Sequence, residues 1–191
     1  MKKIFYLMRH GQTLFNVRRK IQGVCDSPLT KLGKKQCEKA GEYFKDIEID
    51  HYYSSTSERA SDTLEIVTDY KVPYTRLKGI KEMNFGVFEG ESEDLFTPNF
   101  DSNSEFFVPF GGESIEDVTK RMVNTCTKIM EKDDHEVVLA VSHGVACTYF
   151  LNVWADAAKI IKNGMPNCTI FKYEYEDKKF RLLEIITPNF E

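Results

Sequence analysis

The sequence predicts an α/β fold built on parallel strands, and three observations carry that prediction. Two apolar runs, Ile4-Phe5-Tyr6-Leu7-Met8 and Val137-Val138-Leu139-Ala140-Val141, have the composition of strands buried on both faces. Each run ends in His-Gly, at Arg9-His10-Gly11 and at Ser142-His143-Gly144. Between them, strand-like segments alternate with segments of helical period, the pattern of a wound parallel sheet.

Gly11 permits a tight turn after the first strand, and Thr13 can cap the next element. Residues 14–30 are polar and irregular and read as a short helical turn or loop closed by a Pro28 turn. Thr30 is an N-cap for a helix carrying Leu32, Gln36, Ala40, Tyr43, Phe44 and Ile47. Ile49–Ser54 is a strand, and 57–67 is a helix with Arg59 in its first turn. A cation there opposes the helix dipole, which suggests a ligand for it. Tyr74–Leu77 reads as a short strand, and 81–90 as a glycine-punctuated loop containing Glu82. Ser114 and Asp117 form a capping-box pattern ahead of a stripe of Ile115, Val118, Met122, Cys126 and Ile129. Val145–Trp154 continues the second His-Gly strand as an apolar helix. Cys168–Tyr175 and Phe180–Thr187 read as a terminal hairpin.

A chain of 191 residues, 41% hydrophobic and 29% charged, fits one globular domain over residues 1–191. Residues 91–112 are the least regular part, a lid-like insertion rich in phenylalanine: Phe96, Phe100, Phe106, Phe107 and Phe110. A lid with an apolar face would suit a partly apolar or nucleoside-like leaving group, with Phe106 and Phe107 as contacts; a satellite hydrophobic cluster is the plainer alternative. The net charge of -4 argues against general nucleic-acid binding. Five cysteines without metal-ligand spacing fit reduced thiols and a cytoplasmic location. No signal core or membrane-length apolar run is present, and the sequence calls for no cofactor and no metal. Oligomeric state is not legible.

The carboxyl ends of parallel strands share one crevice. Arg9, His10, Arg59 and His143 all follow strands, and Glu82 follows a short one. Two arginines and two imidazoles on one spot form an anion site suited to phosphate. An imidazole kept neutral by nearby cations can attack phosphorus. Glu82, beside Met83 and Phe85, is the nearest candidate proton donor for the leaving group. His51 and His135 begin strands at the opposite edge and read as surface residues.

Arg9-His10-Gly11-x-Thr13-x-x-Asn16, Ser54-Ser55-x-x-x-Arg59-Ala60-x-x-Thr63, Glu82 before Phe85-Gly86-x-x-Glu89-Gly90, Gly112-Glu113-Ser114 and Ser142-His143-Gly144 together resemble the histidine phosphatase superfamily, nearest its phosphoglycerate-mutase-like phosphatases. The resemblance implies a three-layer α/β/α sandwich with a mostly parallel sheet. It implies that His10 is the phosphorylated nucleophile, that Arg9, Arg59 and His143 hold the phosphoryl group, and that Glu82 donates the proton. Thr13, Asn16, Gln22 and Gly23 would line the substrate side. The implied activity is metal-independent hydrolysis of a small phosphorylated metabolite. The mutases of this family are longer and carry Glu where this chain has Gln12, and here the stretch after Glu82 is acidic, with Glu91, Glu93 and Asp94. Mutase activity is therefore the second reading. A non-catalytic phosphate-binding module is the third, and the intact set of five residues argues against it.

Overall fold

Side-chain alternation along two strands divides the core into two layers. In β1 (Lys3–Arg9), Phe5 and Leu7 point to one face and Tyr6 and Met8 to the other. In β4 (Val137–Ser142), Val138 and Ala140 share the first face, and Leu139 and Val141 the second. On the first face pack Val118, Met122, Cys126 and Ile129 of α4 (Ile115–Met130), and Ala146, Cys147 and Phe150 of α5 (Gly144–Trp154). On the second pack Cys37, Ala40 and Phe44 of α2 (Lys31–Phe44), and Ala60, Leu64 and Val67 of α3 (Glu58–Val67). Burying each large apolar side chain contributes roughly 1.5–3 kcal/mol. A sheet so covered must be apolar on both faces, which is why both strands read as continuous hydrophobic runs. The structure is a computed structural model and describes residues 2–95 and 105–188.

The sheet has six strands among the described residues, in the order β3-β2-β4-β1-β5-β6. β2 (His51–Ser55) and β3 (Thr75–Leu77) join β4 and β1 in a parallel block. β5 (Ile170–Glu176) and β6 (Lys179–Ile186) close one edge as an antiparallel hairpin. Its turn residues, Asp177 and Lys178, both have positive φ, 49° and 62°, which matches the twist of a two-residue hairpin. The expected helices and strands are present, with ends shifted by a few residues. Two short helices, α1 (Leu14–Val17) and α6 (Ala157–Ile160), complete the set. Thr13 caps α1 in a reciprocal capping box with Asn16, and Ser114 does so for α4 with Asp117.

Of the two readings of the phenylalanine-rich stretch, the hydrophobic cluster fits Phe106 and Phe107, and the surface reading of His135 needs correction. Phe107 is buried in the core, edge-on to Phe85 with ring centroids 4.9 Å apart, and Phe106 packs on Phe88 and Phe110. Phe106 and Phe107 therefore belong to a hydrophobic cluster; Phe96 and Phe100 lie outside the described residues. His135 is also buried, not on the surface, because Tyr53 and Asp134 satisfy its two ring nitrogens. Among the described residues no helix is long and apolar enough to cross a membrane.

Candidate active site

The register of β1 on β4 builds the centre of the site. Arg9 pairs with Ser142, so His10 and His143 leave the sheet side by side. Their ring centroids lie 5.2 Å apart. Ser54 pairs with Val141, which brings Ser55 level with the same edge, and Ser55 Oγ lies 2.7 Å from His143 Nε2.

His10 is buried, and its Nδ1 lies 2.8 Å from the carbonyl oxygen of Gly11. A carbonyl only accepts, so Nδ1 carries the ring proton and Nε2 keeps a free lone pair. Burial, then the charges of Arg59 and Arg9, hold the His10 pKa well below the usual imidazole range. Burial also depresses His143, followed by Arg59 and His10. Unfolded, both rings titrate near 6.5. Below that pH the unfolded chain binds more protons than the native one, so stability rises with pH there. We expect stability to be full above about pH 6.5 and to fall as pH drops beneath it, by up to about 1.4 kcal/mol per unit for each ring. Urea midpoints measured across this range should show a shallower slope in a His10→Gln/His143→Gln double variant.

Arg59 is fully buried in α3. Its Nη1 donates to the Cys25 carbonyl and Asp26 Oδ1, both at 2.9 Å, and its Nη2 donates to the carbonyls of Gly23 and Gln22. Arg59 thus fastens the 22–26 loop while its charge acts on both imidazoles. Arg9 donates through Nη1 to the Met165 carbonyl. Its guanidinium lies against Gly144, where an added Cβ would sit 3.4 Å from Nε. Burial lowers the Arg9 pKa, opposed by the charge of Glu82. Three buried nitrogens, Arg9 Nε, Arg59 Nε and His143 Nδ1, have no hydrogen-bond partner among the described residues. Buried polar groups are ordinarily satisfied, so this cluster calls for an anion.

Glu82 sits at the start of α5. Oε1 accepts from the Met83 and Ala146 N–H groups at 2.9 Å, and Oε2 accepts from Val145 N–H at 3.0 Å. The backbone of Glu82 is held by Arg121, whose Nη2 donates to its carbonyl at 2.9 Å and whose Nε donates to Glu113 Oε1 at 2.7 Å.

A cavity of about 420 Å³ opens on these groups. Arg9, His10, Asn16, Gln22 and Glu82 line it; Arg59, His143, Thr13 and Gly23 do not. Thr13 is fully buried, its hydroxyl 2.7 Å from Gln22 Oε1. Gly23 packs against Met83, Phe85 and Glu89, and donates its N–H to Glu89 Oε2 at 3.0 Å. Gln12 is turned away, bonded to Gln36 and Thr30 at the start of α2. The outer wall adds Lys20, Glu93, Tyr149 and Met165.

Sequence reasoning assigned no role to Ser55, Arg121 or Asn167. Asn167 Nδ2 donates to the His10 carbonyl at 3.1 Å and to Asn16 Oδ1 at 3.2 Å, tying the β5 approach to the turn after β1. Ser55 was visible as the end of a Ser-Ser strand and as a member of the Ser54-Ser55-x-x-x-Arg59 motif, without a role, and nothing local marks Arg121 or Asn167.

Gly11 has no room for a side chain. A Cβ there would lie 2.6 Å from Cys37 Sγ and 2.8 Å from the Gly33 carbonyl. Gly11→Ala should cost about 1–3 kcal/mol, read from urea unfolding, because the α2 backbone must move.

Known proteins resemble this chain in sequence and in fold. The model of the histidine phosphatase superfamily (branch 1) matches residues 5–187. PhoE of Bacillus subtilis (strain 168), named an uncharacterized phosphatase, is 29% identical over 178 residues, covering 92% of this chain and 90% of that protein. A phosphoglycerate mutase from Bacillus anthracis str. Sterne superimposes with a TM-score of 0.82 at 26% identity, covering 95% of this chain and 92% of the other. A phosphoserine phosphatase from Entamoeba histolytica, solved with 3-phosphoglyceric acid, gives a TM-score of 0.80 at 26% identity, with 95% of each chain covered.

Proposed function

The chain belongs to the histidine phosphatase superfamily and is an enzyme, and from that premise we propose that it hydrolyses small phosphomonoesters through a phosphohistidine at His10, without a metal. The three unpartnered buried nitrogens around an imidazole with a free Nε2 carry this reading.

The reaction runs in two displacements. His10 Nε2 attacks phosphorus, and the bond to the ester oxygen breaks. The departing alkoxide takes the proton of the Glu82 carboxyl. Arg9, Arg59 and His143 stabilise charge on the transferring oxygens. For His143 this requires the proton on Nδ1, the tautomer that Ser55 selects by donating to Nε2. Water then attacks the phosphohistidine, Glu82 takes its proton, and inorganic phosphate leaves with His10 restored. Asn16 and Gln22 line the leaving-group side, with Thr13 and Gly23 shaping that wall from behind.

Glu82→Gln keeps the shape of the side chain and removes the transferable proton. We expect kcat/KM, which reports the transfer to His10 and not the later hydrolysis, to fall by about 10²–10⁴ on an alkyl phosphate and far less on p-nitrophenyl phosphate, because that leaving group needs no proton. Equal losses on both would remove Glu82 from the donor role.

Two observations favour hydrolysis over mutase activity. Gln12 is committed to the α2 start, and Glu93 lines the cavity mouth, where Arg19 pairs with Glu93 and Asp94. A second phosphate would meet carboxylates there, with Arg19 committed to them and Lys20 left as the cation on that wall. Phosphorus NMR in chelator, with a phosphomonoester panel including 3-phosphoglycerate, tests the reading. Growth of free phosphate supports it. A 2-phosphoglycerate peak outpacing free phosphate overturns it in favour of the mutase, and no turnover of any ester favours a binding module.

A further inference from the structure

The edge of the sheet opposite His10 carries a second cluster of chemically capable side chains. His51 opens β2, and Asp134 and His135 lie just before β4, its parallel neighbour. The two imidazoles stack with centroids 3.6 Å apart and planes 12° from parallel. Asp134 lies between their nitrogens, Oδ1 at 2.7 Å from His135 Nδ1 and Oδ2 at 3.2 Å from His51 Nε2. One donor atom from each residue falls within 4.8 Å of the others.

We propose that His51, Asp134 and His135 form a binding site for a divalent cation of the zinc type, independent of the hydrolytic centre. Two imidazoles and one carboxylate are the donor set that borderline cations take, whereas magnesium and calcium require oxygen donors. Ligands of a tetrahedral ion at 2.0–2.1 Å stand about 3.4 Å apart. Both contacts to Asp134, at 2.7 and 3.2 Å, are shorter than that spacing and open to it by a small side-chain movement, and His51, which is partly exposed, supplies the ring rotation that brings its lone pair in. A water from the exposed side completes the fourth position.

The surroundings suit a ligand role for His135. Its Nε2 lies 2.7 Å from Tyr53 Oη, and Lys132 Nζ donates to the same oxygen at 2.8 Å. With the cation bound, the His135 proton resides on Nε2 and is donated to Tyr53, which orients the ring as a metal-bound histidine requires. The His51 proton moves likewise to Nδ1, so neutral rings release no net proton. Lys132, the nearby cation, bonds Tyr53, which separates it from the donor atoms. Binding would tie the start of β2 to the turn before β4.

The test is calorimetric titration of the full chain, freed of metal by chelator, with zinc alone. The expected result is one equivalent bound with micromolar or tighter affinity. His51→Gln and Asp134→Asn should each weaken it at least tenfold, and His10→Ala should leave it unchanged. Cobalt should give visible d–d bands in the wild type that His51→Gln loses. Circular dichroism and retained phosphate release confirm that the His51 and Asp134 variants are folded. Wild-type affinity in His51→Gln, loss of binding in His10→Ala, or no binding by the wild type would each overturn the proposal.

Discussion

His10→Ala will lose phosphate release by at least about 10⁴-fold in kcat, close to 5.5 kcal/mol of transition-state stabilisation. No other described group is placed to replace it: Nε2 of His143, the adjacent imidazole, is engaged by Ser55 Oγ at 2.7 Å. The loss should fall on kcat, because the Arg9, Arg59 and His143 side chains proposed to hold the phosphoryl group are untouched. The variant should therefore still bind inorganic phosphate within about tenfold of the wild type, measured by calorimetry. A His10→Ala protein that retained a tenth of wild-type turnover would exclude His10 as nucleophile.

Arg59→Ala will damage both stability and catalysis. Four hydrogen bonds from its terminal nitrogens hold the 22–26 loop, including the ion pair with Asp26 at 2.9 Å. Removing the guanidinium leaves buried carbonyls and the Asp26 carboxylate short of partners, which costs about 3–5 kcal/mol. The loop carries Gln22 into the cavity wall, and the charge of Arg59 helps keep both imidazoles neutral. We expect kcat/KM to fall by a further 10²–10³-fold or thereabouts in the folded fraction. Arg59→Lys retains a charge but not the planar fork, and should recover less than half of the lost stability. Urea unfolding and kcat/KM measured below the unfolding transition separate the two effects. A wild-type urea midpoint for Arg59→Ala would contradict the loop-fastening role.

How much of the molecule was legible depends on the distance over which each feature is encoded. The two parallel strands and their His-Gly ends were readable because burial on both faces writes an unbroken apolar run into a few adjacent residues. Arg59 betrayed itself by a local conflict with the helix dipole, yet its dual engagement with the 22–26 loop rests on a contact 33 to 37 residues away. Asn167 and Arg121 act across comparable or greater separations, and their local context is that of ordinary surface polars. The burial of His135 was not legible because it depends on Tyr53 and Asp134 satisfying both nitrogens, which periodicity does not encode. Phe106 and Phe107 were ambiguous in the same way: aromatic density predicts packing but not whether the rings face a cavity or a core.

The most direct test of the phosphohistidine route is to trap the intermediate. The protein is mixed with a turning-over phosphomonoester, quenched in alkali where phosphohistidine survives, digested, and the peptides weighed. One phosphoryl group is expected on the peptide containing His10, and none in His10→Ala. A phosphoryl group on any other residue, or phosphate release at full rate with no phosphopeptide at any quench time, would contradict His10 as the nucleophile.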